Sequence, residues 1–211
     1  MNDNIQLLHN YCQFEQGWVW IMTGLSRNKD NPNPTHDFLR RLVIAKPEEI
    51  EPCYQELQTL GNRKGTTYRI YISLNARDAN KAFFNFQQKL LEINLGLYRG
   101  LQDAQHLVTK VGSLWKTELA QTHNRATKYF LLDVDEDANG EVATRIVSFI
   151  NDPDRKMKTK IVAIRKTVSG SHIVIEACDT RELMNWCELN EFKVDVQKDS
   201  MLFVEQYEGK A

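Results

Sequence analysis

Apolar runs at 17–25 (GWVWIMTGL) and 38–45 (FLRRLVIA) read as strands. The polar segment between them, RNKDNPNPTHD, carries two prolines and several Asn and Asp residues, which favours a loop. Pro47-Glu-Glu predicts a helix with acids in its first turn, running to about Gly61. The segment TTYRIYISLN (66–75) alternates like a strand. Phe83, Phe86, Leu90, Ile93 and Leu97 then recur at helical spacing and predict a long amphipathic helix. A second helical stretch, from about 101 to 121, follows Gly100.

The second half of the chain changes character. KYFLLDVD (128–135) predicts a strand and VATRIVSFIN (142–151) a short helix. KTKIVAIRKT and SHIVIEA predict two strands meeting near Ser169-Gly170. Thr180 is placed to cap the helix RELMNWCELN, and FKVDVQ and MLFVEQY close the series as strands around Lys198-Asp199. No internal repeat or low-complexity linker interrupts the pattern. A chain of 211 residues suits a single compact domain, with a possible seam near residue 122 between an N-terminal α/β portion (1–122) and a second portion (123–211).

Ordinary hydrophobic and charged fractions indicate a globular protein, and a net charge of −1 means that a nucleic-acid partner would need a local basic face. No stretch has the apolar length of a membrane span, and MNDNIQLLHN lacks the basic and apolar regions of a signal peptide. Cys12, Cys53, Cys178 and Cys187 show no CxxC spacing. They read as reduced thiols of a cytoplasmic protein and not as a zinc site.

The chemistry concentrates in YFLLDVDEDANG (129–140) and KTVSGSH (166–172). Asp133 and Asp135 sit two apart, so on a strand their carboxylates share a face, and a divalent cation offsets their repulsion. A solvated turn is the plain alternative for Asp133–Gly140. A calcium loop opening at Asp135-x-Asp137-x-Asn139-Gly140 fails, because its twelfth position is Ile146 and a strand-like segment stands where a helix is needed. Further on, a Ser-Gly turn delivers His172 at the head of an apolar run, beside Arg165 and Lys166.

The ordered set LLDVD (131–135), SGSHIVI (169–175) and VD (194–195) resembles the archaeo-eukaryotic primase, or primase-polymerase, superfamily, in the small form carried by phages and mobile elements. The resemblance covers roughly the last third of the chain. In this sequence Ser169 lies three residues before His172, where members often have Ser-x-His, and Asp199 stands near Asp195 as another candidate for the third acid. The resemblance implies an α/β (α+β) fold: an RRM-like antiparallel sheet packed with the N-terminal α/β portion. It implies catalytic and metal-binding roles for Asp133, Asp135 and Asp195, with Mg²⁺ or Mn²⁺ as cofactor. Ser169, Gly170, His172, Lys166 and Arg165 would bind the nucleotide. The implied activity is nucleotidyl transfer from nucleoside triphosphates to DNA or RNA in the host cytoplasm, with a replication helicase as a possible partner. A catalytically inactive nucleic-acid or nucleotide binder and a metal-dependent nuclease are the alternatives.

Around the motif, Arg155, Lys156, Lys158 and Lys160 extend the basic stretch, as a nucleic-acid contact or as a solvated strand edge. Arg69 and Arg77 stand near strand ends, with pairing to acids the first expectation and contact with template phosphate the second. His9, His36, His106 and His123 have no partner spacing. The four tryptophans read as core aromatics before base-stacking platforms. No Walker A, GxGxxG or GxSxG pattern occurs.

Overall fold

Two antiparallel sheets with helices against them form a mixed α/β architecture, and the central strands Trp18–Ser26, Tyr68–Ser73 and Ser171–Glu176 are buried along nearly their whole length. The computed structural model describes residues 2–27, 30–31, 39–64, 67–137 and 139–208, without the side chains of 63 and 64. His36 and both prolines of the first loop lie outside the described residues.

The first half runs α1 (Asp3–Tyr11), β1 (Trp18–Ser26), β2 (Leu39–Ile44), α2 (Ile50–Lys64), β3 (Tyr68–Ser73), β4 (Arg77–Asp78), α3 (Ala79–Tyr98), α4 (Gln102–Val108) and α5 (Val111–Leu119). The second runs β5 (Tyr129–Val134), α6 (Glu141–Asn151), β6 (Ile161–Lys166), β7 (Ser171–Glu176), α7 (Arg181–Leu189), β8 (Val194–Gln197) and β9 (Met201–Tyr207). Among the described residues no helix is long and apolar enough to cross a membrane.

One sheet has the order β2-β1-β3-β9, with β4 beside β1; the other has the order β6-β7-β5-β8. The second sheet with α6 and α7 forms a β-α-β-β-α-β unit. Its strands separate two environments by their period of two. Leu132, Val134, Ile173 and Ile175 pack on Ala143, Ile146 and Phe149 of α6 and on Leu183 and Cys187 of α7. Leu131 and Val174, on the other face, join the core formed by α1, α2 and the first sheet. Each fully buried side chain of this size contributes about 1.5–3 kcal/mol.

Local chemistry fixes the element ends. Pro47 opens a short 3-10 turn into α2, and the Glu49 carboxylate accepts the Ala45 N–H at 2.8 Å. Asp78 caps α3 by accepting the Lys81 N–H at 2.9 Å. Asp137, only 3% exposed, accepts the N–H groups of Val142 and Ala143 and the hydroxyl of Ser171, so it anchors α6 to β7. That anchoring role gives the DEDANG segment a structural purpose unrelated to calcium.

Three sequence expectations need correction. The helix expected over 101–121 is split into α4 and α5 at Thr109-Lys110. There the Thr109 hydroxyl bonds the His106 carbonyl, and the Lys110 N–H bonds that of Leu107. Thr180 stands at the cap position of α7 with ψ near 1° and makes no side-chain cap bond; Asp179 accepts the Arg181 N–H instead. The final strand, MLFVEQY, does not close the second sheet beside FKVDVQ. As β9 it returns to the first sheet and pairs with β3, so the chain crosses the seam near 122 a second time.

Candidate functional site

β9 is the outer strand of its sheet, and its open edge runs against the face of the second sheet. An open edge leaves N–H and C=O groups to satisfy. Side chains from the second sheet satisfy them here. His172 Nδ1 accepts the Phe203 N–H at 3.2 Å, and the Arg165 guanidinium donates to the Val204 carbonyl, 3.1 Å from Nε, and to Asn4 of α1.

Register then sets the rest of the row. Arg165 of β6 opposes His172 of β7, His172 opposes Asp133 of β5, and Asp133 opposes Asp195 of β8. Directly opposed residues share a sheet face, so these four side chains form one line across four strands. With Nδ1 accepting from Phe203, the neutral imidazole carries its proton on Nε2, and Nε2 lies 3.4 Å from Asp133 Oδ1. Gln197 Nε2 donates to Asp195 Oδ2 at 3.2 Å and to Asp133 Oδ2 at 3.4 Å, so one amide links both carboxylates. Asp135 follows just past the end of β5, where its N–H bonds the Lys193 carbonyl at 3.0 Å.

The row borders a cleft of about 520 Å³ at the corner between the two sheets. Asp133, Asp135, His172 and Gln197 lie on the second-sheet side, with Thr167 and Ser169 from the β6–β7 turn. Arg27, Arg69 and Tyr71 come from the β1–β3 side, and Met201 and Phe203 from β9. Carboxylates and guanidiniums therefore line one hollow from opposite walls. Arg69 is buried and bonds Asp30 at 2.6 Å; burial opposes its charge, but Asp30 and Tyr71 outweigh that and hold its pKa above the ordinary value. Arg27 is exposed, with Nη1 3.5 Å from the Tyr71 hydroxyl.

Gly170 is required by a close approach. A Cβ there would lie 2.0 Å from the Val134 carbonyl oxygen and 3.4 Å from the Asp135 Cα. The tight β6–β7 turn, closed by the Thr167 N–H to the Gly170 carbonyl at 2.8 Å, is thus pressed against the strand end that presents Asp135. The Gly170 N–H bonds the Thr167 hydroxyl at 3.0 Å, inside the turn.

Of the residues expected from sequence, the structure brings Asp133, Asp135, Ser169 and His172 to the cleft, with Asp195 beside Asp133 and Gly170 beneath the turn. Arg165 and Lys166 are not brought there. Arg165 holds β9, and Lys166, opposite Ser171, follows the strand alternation to the other face. Asp199 is clamped by Arg77 in a buried bidentate pair, 2.9 Å at both oxygens, which removes it as the third acid. Arg69 and Arg77 both pair with acids, the first expectation for each. Lys158 and Lys160 lie just before β6, and Arg155 sits over the Phe149 ring at 4.4 Å. Sequence reasoning missed Arg27, Tyr71, Thr167 and Gln197. Gln197 alone carried a signal, its two-residue spacing from Asp195 on β8.

Among the described residues no three His, Cys, Asp or Glu side chains form a ready-made metal cage. Compared with known proteins, the chain matches no protein-family model, no curated sequence and no solved structure.

Proposed function

We propose that this chain is a divalent-metal-dependent nucleotidyltransferase of the primase-polymerase type, which adds nucleotides from nucleoside triphosphates to a nucleic-acid end. The observation that carries the reading is the opposition of Asp133 and Asp195 on neighbouring strands, with Asp135 at the strand end, beside a cleft that has Arg27 and Arg69 on its far wall. The β-α-β-β-α-β order of the motif-bearing strands supports the same reading.

The donor set suits Mg²⁺ or Mn²⁺. Hard cations take carboxylate oxygens, and Mg²⁺ is commonly held by one or two carboxylates together with substrate phosphates, without a complete protein cage. Asp133 and Asp135 would hold the ion, with Asp195 as the third acid. When bound, the ion supplies charge neutralisation for the triphosphate and eases ionisation of the attacking hydroxyl. The protein's own part is positional. His172 and Gln197 fix the Asp133 carboxylate, and Gln197 also fixes Asp195. Arg27 offers counter-charge to phosphate, and the Thr167 and Ser169 hydroxyls offer donors. In the transfer, the 3′-oxygen bonds the α-phosphorus as the bond to the β-phosphate breaks; pyrophosphate leaves and the hydroxyl proton passes to solvent.

A nucleotide binder without catalysis is the rival. The engagement of His172 and Arg165 with β9 favours it, because neither side chain is then free to act on the triphosphate during transfer. Labelled nucleotide and a primed template, with Mn²⁺ or Mg²⁺, separate the readings. Metal-dependent elongation is expected. Shortening of the primer would indicate a nuclease, and nucleotide binding with neither outcome would indicate the binder.

A further inference from the structure

Helix α3 has two apolar faces, and only one is covered. Ala82, Phe86, Ile93 and Gly96 are buried; Gly96 packs on Ala104 of α4, and the Phe86 ring lies 5.6 Å from that of Trp115 of α5. At 3.6 residues per turn, Phe84, Gln88, Leu91, Leu95 and Tyr98 fall within an arc of about 80° directly opposite. Phe84, Leu91, Leu95 and Tyr98 are 62, 63, 56 and 91% exposed. A solvent-facing stripe normally carries charge, yet this one contains none. The charged residues of α3 are Lys81, Lys89 and Glu92, and Lys89 reaches Glu118 on α5. Depletion of charge with enrichment in aromatics marks the centre of a protein interface.

We infer that this stripe is the contact between two copies of the chain, packed α3 against α3 about a two-fold axis at Leu91. Phe84 and Tyr98 each lie seven residues from Leu91. Seven helical residues span about 10.5 Å, so an antiparallel pairing centred on Leu91 sets Phe84 against Tyr98 of the second copy at both ends. That self-complementarity is what a closed dimer requires. Phe84, Leu91, Leu95 and Tyr98 together present roughly 500 Å², so two copies would bury about 1,000 Å², the size at which a specific interface begins. Nucleic acid is a poor occupant, since the stripe has no Lys or Arg to meet phosphate.

The test is the mass of the full chain by light scattering at tens of micromolar, with a cross-link across the axis. The wild type is expected at twice the monomer mass, and Leu91→Glu at the monomer mass with an unchanged circular dichroism spectrum. Leu189→Glu, at an exposed leucine of α7, should leave the dimer intact. Leu91→Cys should form an intermolecular disulfide on mild oxidation that the wild type, with its four native cysteines, does not form. A monomeric wild type, a Leu91→Glu dimer, or a Leu91→Cys variant that fails to cross-link would each overturn the assignment.

Discussion

His172 Nε2 lies 3.4 Å from Asp133 Oδ1 while Nδ1 of the same ring accepts the Phe203 N–H. One imidazole thus joins the edge of β9 to the acid that leads the candidate site. Replacing His172 with Ala strands a buried backbone N–H, a loss of about 1–3 kcal/mol. Urea unfolding should report that loss. Nitrogen NMR of the neutral ring should find the proton on Nε2, and a proton on Nδ1 would contradict the arrangement.

The Gly170 turn predicts a second effect. Gly170→Ala sets a methyl group against the Val134 carbonyl, and the turn must lift from Asp135. Overpacking of this kind costs about 1–3 kcal/mol. The variant should melt earlier and bind Mn²⁺ more weakly, whereas a wild-type melting curve would show that the turn has room.

Asp195 and Asp199 should part company. Asp199→Ala leaves Arg77 buried without its carboxylate partner, a loss of about 3–5 kcal/mol in stability. Asp195 is exposed, so Asp195→Ala should leave the melting curve nearly unchanged while weakening Mn²⁺ binding. Equal stability losses in the two variants would refute the division of roles.

These contrasts mark how far the sequence could be read. Two-residue spacing put Asp133 and Asp135 together, and the motif VD located the strand that opposes them, because strand periodicity is a local property. Which sheet β9 joins is not local: MLFVEQY declares a strand but not its neighbour, and pairing with β3 spans 128 residues from Ser73 to Met201. The fate of Arg165 depends on that pairing, since its carbonyl partner belongs to β9. The same holds for Asp199, whose clamp on Arg77 joins distant segments. Arg27 and Tyr71 reach the cleft only because the two sheets meet at a corner, which no spacing within either strand encodes.

Alkaline pH should destabilise the fold. Burial raises the Tyr68 phenol from its ordinary 10.0 to about 12 and the Cys187 thiol from 9.0 to about 11, and it raises Tyr11 and Cys12 as well. Because these folded values exceed the unfolded ones, their contribution is fully present below about pH 9 and is lost as pH rises through the folded values. The melting temperature should hold to about pH 9 and fall steadily toward pH 12; a flat profile over that range would contradict the burial of these groups.

The most direct test of the central claim is metal-dependent nucleotide incorporation by the wild type and by the Asp133→Asn, Asp135→Asn double variant, assayed side by side on a primed template with Mn²⁺. The isosteric amides keep the size and shape of both side chains while removing both negative charges from the cleft wall; at position 133 one of the two bonds from His172 and Gln197 is given up. The wild type should extend the primer, and the double variant should fall to background while still melting cooperatively as a folded protein. Extension by the folded double variant at the wild-type rate, or no extension by the wild type on any template, would contradict the proposal.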